Sequence, residues 1–271
     1  MSNMKMKLRS WWKTILDRWN NYRYRFLPWI IVNLKNRQTR KVYAQSSDKL
    51  ITDARALDIL KTYFKEISKH SMAVSKEDIM RKTLGFSIKR FPSQVSGTGV
   101  FISSGNTKKG DVVSIYPGTV YQVHEPIFFQ SIANPFIFRC VDGVLIDGND
   151  SGLSRIIYKS CCHRDMIGQY FTCDMTWLTS TPSNHLSLGQ YVNNATGKFP
   201  ANVTYQELDI PSNFPLVYMK YLPNANYGHK YFKDDVLHVR TVVLIAIRDI
   251  FEGEELFSSY FTVVHKKRTQ Q

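Results

Sequence analysis

Arg248-Asp249-Ile250-Phe251-Glu252-Gly253-Glu254-Glu255-Leu256-Phe257-Ser258-Ser259-Tyr260 is the stretch whose reading decides the fold. Taken alone it is a charged turn around Gly253 followed by a short apolar run into a tyrosine. One tyrosine among fifteen is ordinarily a half-buried core residue, so the meaning of Tyr260 depends on what precedes it. Just upstream, Val242-Val243-Leu244-Ile245-Ala246 has the composition of a buried strand. Further back, Val112-Val113-Ser114-Ile115-Tyr116 reads the same way. From Phe86 onward such runs alternate with Gly, Asn and Pro turns and show no regular strand–helix alternation, which excludes a doubly wound sheet.

The other chemically suggestive segments lie in order along the chain. Gly97-Thr98-Gly99-Val100-Phe101-Ile102 invites a dinucleotide reading, but the third glycine position holds Ile102 and no helix pattern follows. Lys109-Gly110-Asp111 comes next, then Tyr116-Pro117-Gly118 at the end of a strand. After these come Gln190-Tyr191-Val192-Asn193-Asn194 and Pro200-Ala201-Asn202. In this order, ending on Glu254-Glu255-Leu256 and Tyr260, the segments resemble the signature of the SET-domain family over residues 95–264.

The resemblance implies a fold and a chemistry. The fold is α+β and β-rich: small curved sheets with a threaded C-terminal segment, preceded here by short N-terminal helices. The activity is S-adenosylmethionine-dependent methyl transfer to a lysine side chain, so the partner is a protein or peptide substrate bearing lysine. By the same resemblance Tyr260 and Tyr116 are catalytic. Tyr260 orients the amine and stabilises the sulfur end, and Tyr116 lines the lysine channel. Gly97, Thr98, Gly99, Asn193, Asn194 and Tyr260 bind S-adenosyl-L-methionine. The glycines let the backbone approach the methionyl part, the Asn193 amide meets the amino-acid end, and the Asn194 backbone meets the adenine.

The chain departs from the family pattern at several points. Asn194 stands where the family has histidine, Thr196 where a cysteine is usual, and Ser259 where an acid is common. Eleven residues follow Tyr260 and none is cysteine, so the zinc-binding tail of many histone-directed members is not expected here. Cys161, Cys162, Cys173, His163 and His185 fall close enough in sequence to raise a zinc site. Their spacing contains no Cys-x-x-Cys pair, adjacent cysteines rarely share one tetrahedral metal, and thiols are the expectation. These departures keep open a second reading, a catalytically silent SET-fold binding module.

The formal charge of +14 is uneven: residues 1–47 hold eleven Lys or Arg against Asp17 alone, and so carry +10 of it. Such an arm suits nucleic acid, an anionic membrane surface or an import receptor. Trp12, Ile15, Leu16 and Trp19 recur within it at helical spacing. No apolar run reaches the ~20 residues needed to span a bilayer. Four clustered cysteines do not make a secreted disulfide scaffold, so an intracellular, reducing compartment is expected, nucleus and mitochondrion both remaining open. The sequons at Asn194 and Asn202 are then coincidental. Leu57, Leu60, Tyr63, Phe64 and Ile67 predict a helix, and Ser75 with Asp78 a capping box opening another. The chain accordingly divides into a basic amphipathic arm (1–47), a helical flank (48–92), a SET domain (93–265) and a basic tail (266–271). Inserts are expected within the domain at about 156–187 and 209–236, where they would flank the substrate groove.

Overall fold

The computed structural model describes residues 49–70, 75–228 and 239–258. The amphipathic stretch around Trp12, and Tyr260 itself, lie outside the described residues.

Helix α1 (Asp53–Lys69) turns Ala56, Leu60, Tyr63, Phe64 and Ile67 inward, and the Thr52 side chain accepts from Arg55 N at its start. Burying residues such as Leu60 and Phe64 contributes ~2 kcal/mol each, and Phe64 meets Tyr221 and Phe214 at 5.6 and 6.4 Å. The entry to α1 is fixed by Gln206, whose Oε1 accepts from Leu50 N and Ile51 N while its Nε2 donates to Ile51 O. Helix α2 (Lys76–Leu84) opens on Ser75, whose hydroxyl accepts from Asp78 N as the capping pattern predicts.

The strands form three sheets. β1 (Phe86–Pro92) and β2 (Thr98–Gly105) make an antiparallel hairpin. β3 (Val112–Tyr116), β7 (Asn193–Asn194), β8 (Val203–Ile210), β10 (Val239–Ala246) and β11 (Phe257–Ser258) make a five-stranded sheet in the order β3-β10-β8-β11-β7. β4 (Gly118–Tyr121), β5 (Ile137–Arg139), β6 (Leu145–Asp147) and β9 (Asn224–Asn226) make the third, in the order β5-β6-β4-β9. This is the β-rich α+β architecture the resemblance implies.

β10 is antiparallel to both β3 and β8 and buried along almost its whole length. β11 differs, being parallel to both β7 and β8. The 195–202 connection joins β7 to β8, so it bridges across the strand lying between them, a rare topology. The hairpin seals the arrangement from outside. Leu256 N donates to Val100 O at 2.7 Å, Ile102 N to Glu254 O at 3.0 Å and Gly253 N to Ile102 O at 2.9 Å.

The region of the first insert opens with α4 (Gly152–Arg164), which lies against β4 and β9 over a satellite core of Tyr158, Cys161, Cys162, Cys173, Trp177 and Leu178. Cys162 and Cys173 form a disulfide, which corrects the expectation of thiols at those two positions; Cys140 and Cys161 are free and buried. The pairing follows from local geometry: Ile167 and Tyr170 bridge to each other and turn the chain back beneath the last turn of α4. The stretch after β8 contains α5 (Leu216–Met219) and β9, so it holds more regular structure than its Tyr, Asn and Pro content suggests. A short helix, α3 (Phe128–Ser131), follows β4.

Candidate active site

The β1–β2 hairpin closes through Ser93 N donating to Gly97 O at 2.9 Å, with Gly97 at φ +52°, in the left-handed region that favours glycine. Gly99 is needed for a different reason. A Cβ built there would lie 2.0 Å from Oε1 of Glu255, because that side chain is laid across the glycine. Asn193, on β7, aims its amide at the same place. Nδ2 has Ser96 O at 3.2 Å, Thr98 O at 3.3 Å and Glu255 Oε1 at 3.0 Å. Gly97, Thr98, Gly99 and Asn193 are therefore brought together.

Asn202 holds the final segment. Its Nδ2 donates to Glu255 O and its Oδ1 accepts from Phe257 N, both at 2.8 Å, while its own backbone N donates to Phe257 O at 2.9 Å. One side chain thus pairs with the backbone on both sides of Leu256, as a neighbouring strand would. Ala195 N donates to Ser258 O at 2.8 Å on the other flank. Asn194 pairs with Ser258 across the β7–β11 ladder. Tyr191, two residues before Asn193, is hydrogen-bonded to Asp150 with Arg90 over its ring, and burial pushes its hydroxyl up to about 12.

Tyr116 ends β3 fully inside the protein. Its hydroxyl donates to Phe136 O at 2.8 Å, a carbonyl that also accepts from Gly148 N at 2.9 Å. Its ring packs 5.4 Å from Phe138 and 6.1 Å from Tyr205, which are themselves 4.9 Å apart. The Tyr205 hydroxyl is hydrogen-bonded to Ser258 Oγ at 3.1 Å. The aromatic cluster therefore reaches β11 two residues before Tyr260. An apolar wall of this kind disfavours the charged form of an amine placed against it.

No protein-family model matches the chain. Human SET domain-containing protein 9 is 44% identical to it over 301 residues, spanning 95% of this chain and 98% of that protein. The orangutan (Pongo abelii) SET domain-containing protein 9 is 55% identical over 190 residues, 69% of this chain and 68% of its own length. The chain belongs to the family of SET domain-containing protein 9. Among solved structures it is similar to a Chaetomium thermophilum Polycomb Repressive Complex 2 with a bound inhibitor, at TM-score 0.36 and 15% identity over 76% of this chain and 18% of that one. It is similar also to ctPRC2 bound to S-adenosylmethionine, at TM-score 0.37 and 15% identity over 76% of this chain and 19% of that one. At scores this low neither structure bears on the assignment.

Within this SET domain the dispersed motifs meet: the glycine turn, the Asn193 pair and the run from Glu254 to Ser258 share one corner of the molecule. Tyr260 follows Ser258 by two positions in the sequence, outside the described residues. Three residues of the corner escaped the sequence reading. Glu255 and Asn202 stand inside quoted motifs but carried no role, and Tyr205 carried no signal beyond being one aromatic in a strand. Of metal-ligating groupings among the described residues, Cys140, Asp142 and Glu207 have ligand atoms within 4.8 Å of one another. Arg240 already fills that place, reaching Glu207 at 2.7 Å and Asp142 at 2.9 Å. Of the cysteines weighed for zinc, Cys162 and Cys173 are bonded to each other. No helix among the described residues is long and apolar enough to cross a membrane.

Proposed function

We propose that this SET-domain chain transfers the methyl group of S-adenosyl-L-methionine to the side-chain amine of a lysine in a protein. The observation that carries the reading is the convergence of Gly97-Thr98-Gly99, Asn193 and β11 at one corner, directly before Tyr260. The residues there suit the cofactor's amino-acid end. The left-handed Gly97 has open space where a Cβ would stand, the Ser96 and Thr98 carbonyls gather at the Asn193 amide, and the Glu255 carboxylate lies over Gly99.

When bound, the cofactor would supply an electrophilic methyl group on a sulfonium, open to in-line attack on the methyl carbon by a neutral amine, the C–S bond breaking and the thioether of S-adenosylhomocysteine leaving. The protein's part is positioning and desolvation. Gly97, Thr98, Gly99, Asn193 and Asn194 hold the cofactor. Tyr116, Phe138 and Tyr205 exclude water and favour the neutral amine that must attack. Asn202 fixes the backbone on either side of Leu256, and so fixes the run that precedes Tyr260 in the sequence.

Calorimetry tests the first half. Micromolar binding of S-adenosylmethionine, weakened tenfold or more by Asn193→Ala, is expected; a folded chain indifferent to millimolar cofactor rules the enzyme out. For the second half, transfer of a tritiated methyl group into cell proteins should yield methyl-lysine on hydrolysis and should be abolished by Tyr260→Phe. One observation favours the alternative of a silent binding module: the Asn193 amide hydrogens are already engaged by protein oxygens. The same calorimetry separates the two.

A further inference from the structure

Asn193 Nδ2 carries two hydrogens, yet three oxygens lie within 3.3 Å of it: Ser96 O, Thr98 O and Glu255 Oε1. Two backbone carbonyls and a carboxylate around one nitrogen position make a better match for three donors than for two. A primary ammonium has three donors and a positive charge.

The charge argument points the same way. Arg248 pairs with Glu254 at 2.6 Å and Arg240 with Glu207 at 2.7 Å. Among the described residues no Lys, Arg or His pairs with Glu255, which is partly buried and lies across Gly99. Its hydrogen-bond partner among the described residues is a neutral amide, so a cation at the acceptor triad would give the carboxylate a charged partner.

Resting on the methyltransferase reading, we infer that Glu255 is a cofactor-contacting residue whose carboxylate accepts the α-ammonium of the methionyl end, together with Ser96 O and Thr98 O. An ammonium entering here takes over the acceptors that Asn193 Nδ2 now shares. The glycine at 99 is then required so that the Glu255 carboxylate can lie over the turn and complete the triad. Glu254, one residue earlier, has its carboxyl held below the usual range by Arg248 and serves the turn instead.

The test crosses a residue change with a ligand change, so that only their coupling is read. Full-length native chain and Glu255→Gln are titrated by calorimetry with S-adenosylhomocysteine and with its desamino analogue, which lacks only the α-ammonium. The Gln substitution should weaken S-adenosylhomocysteine about tenfold or more, the scale of a charged hydrogen bond. It should leave the desamino analogue within twofold, and binding of that analogue also reports that the variant is folded. Glu252→Gln, on the exposed part of the same turn, should change neither ligand.

Equal weakening of both ligands, or of neither, overturns the assignment and returns Glu255 to a purely structural partner of Asn193. If Glu255→Gln proves insoluble, the native chain still decides: equal affinity for the two ligands overturns the inference, and a tenfold preference for the amino form supports it. A native chain that binds neither ligand overturns the methyltransferase reading itself, an outcome distinct from the others.

Discussion

At the scale of single residues, the two kinds of crowded glycine in the site separate stability from binding. A methyl group at Gly99 meets the far end of the Glu255 side chain, which can swing aside. Gly99→Ala should therefore unfold within about 1 kcal/mol of the native chain in urea, while its affinity for S-adenosylmethionine falls tenfold or more because the Glu255 carboxylate has been displaced. Gly118 is held at φ +137°, and a Cβ there would lie 2.1 Å from Asp147 O, a backbone atom of the paired strand β6. Gly118→Ala should cost more than about 3 kcal/mol, a loss that the same urea series would measure. The sequence displayed both glycines equally, each inside a recognisable motif. It could not display what each one faces, because Glu255 lies more than 150 positions beyond Gly99, and Asp147 comes from a strand three residues long. Tyr205 shows the same limit: its place beside Tyr116 and Ser258 depends on three strands meeting, and no local pattern encodes that.

At the scale of elements, the helices were legible and the decisive strands were not. α1 and α2 announce themselves through apolar spacing and caps, and β3 and β10 through long β-branched runs. β7 and β11 have two residues each, too few to show any period, and they pair in parallel although far apart in sequence, Phe257 opposite Asn193. Their stability comes from outside themselves, chiefly from Asn202. Asn202→Ala would leave Glu255 O and Phe257 N without their side-chain partner, at about 1–3 kcal/mol each where such groups are buried. A total loss of about 3 kcal/mol is expected by denaturant unfolding, with cofactor affinity falling as well, since β11 would no longer hold Glu255 in place. In the satellite core beneath α4, Asp174 has one carboxylate oxygen bonded to Thr176 N and Thr176 Oγ1 and the other without a partner among the described residues. Burial raises its carboxyl to about 6 from an ordinary 3.8. Between those values the folded chain binds more protons at this site than the unfolded chain does, so the site's contribution to stability falls as pH rises from about 4 to 6 and is flat above. Relative to the native chain, Asp174→Asn should therefore gain up to about 3 kcal/mol across that window, at ~1.36 kcal/mol per pH unit. Paired melting curves at pH 4, 5, 6 and 7 would check it; a constant difference between the two proteins would contradict the raised value.

At the scale of the molecule, charge and chemistry belong to different parts of the chain. Residues 1–47 carry +10 of the formal +14, whereas every group discussed at the cofactor corner lies beyond residue 89. The sequence made this division plain, because counting charges needs no knowledge of the fold. It left the sheet order hidden, because insertion of β11 between β7 and β8 is a property of the whole chain. The division has a measurable consequence. A cationic arm that meets duplex DNA releases counterions, so the logarithm of its affinity should fall linearly with the logarithm of salt concentration, with a slope set by the number of phosphates neutralised. Full-length chain should therefore bind DNA at low salt and lose it steeply as salt rises. A full-length version with the eleven Lys and Arg of residues 1–47 changed to Gln should bind weakly at all salts with a slope near zero. Affinity for S-adenosylmethionine should be the same in both, since the site's charged groups, Glu255 with the Arg248–Glu254 pair, are carried by the domain itself. If neutralising the arm also weakens the cofactor, the arm and the corner are electrostatically one unit. If DNA retention survives neutralisation, the basic surface that holds the nucleic acid lies on the folded domain instead.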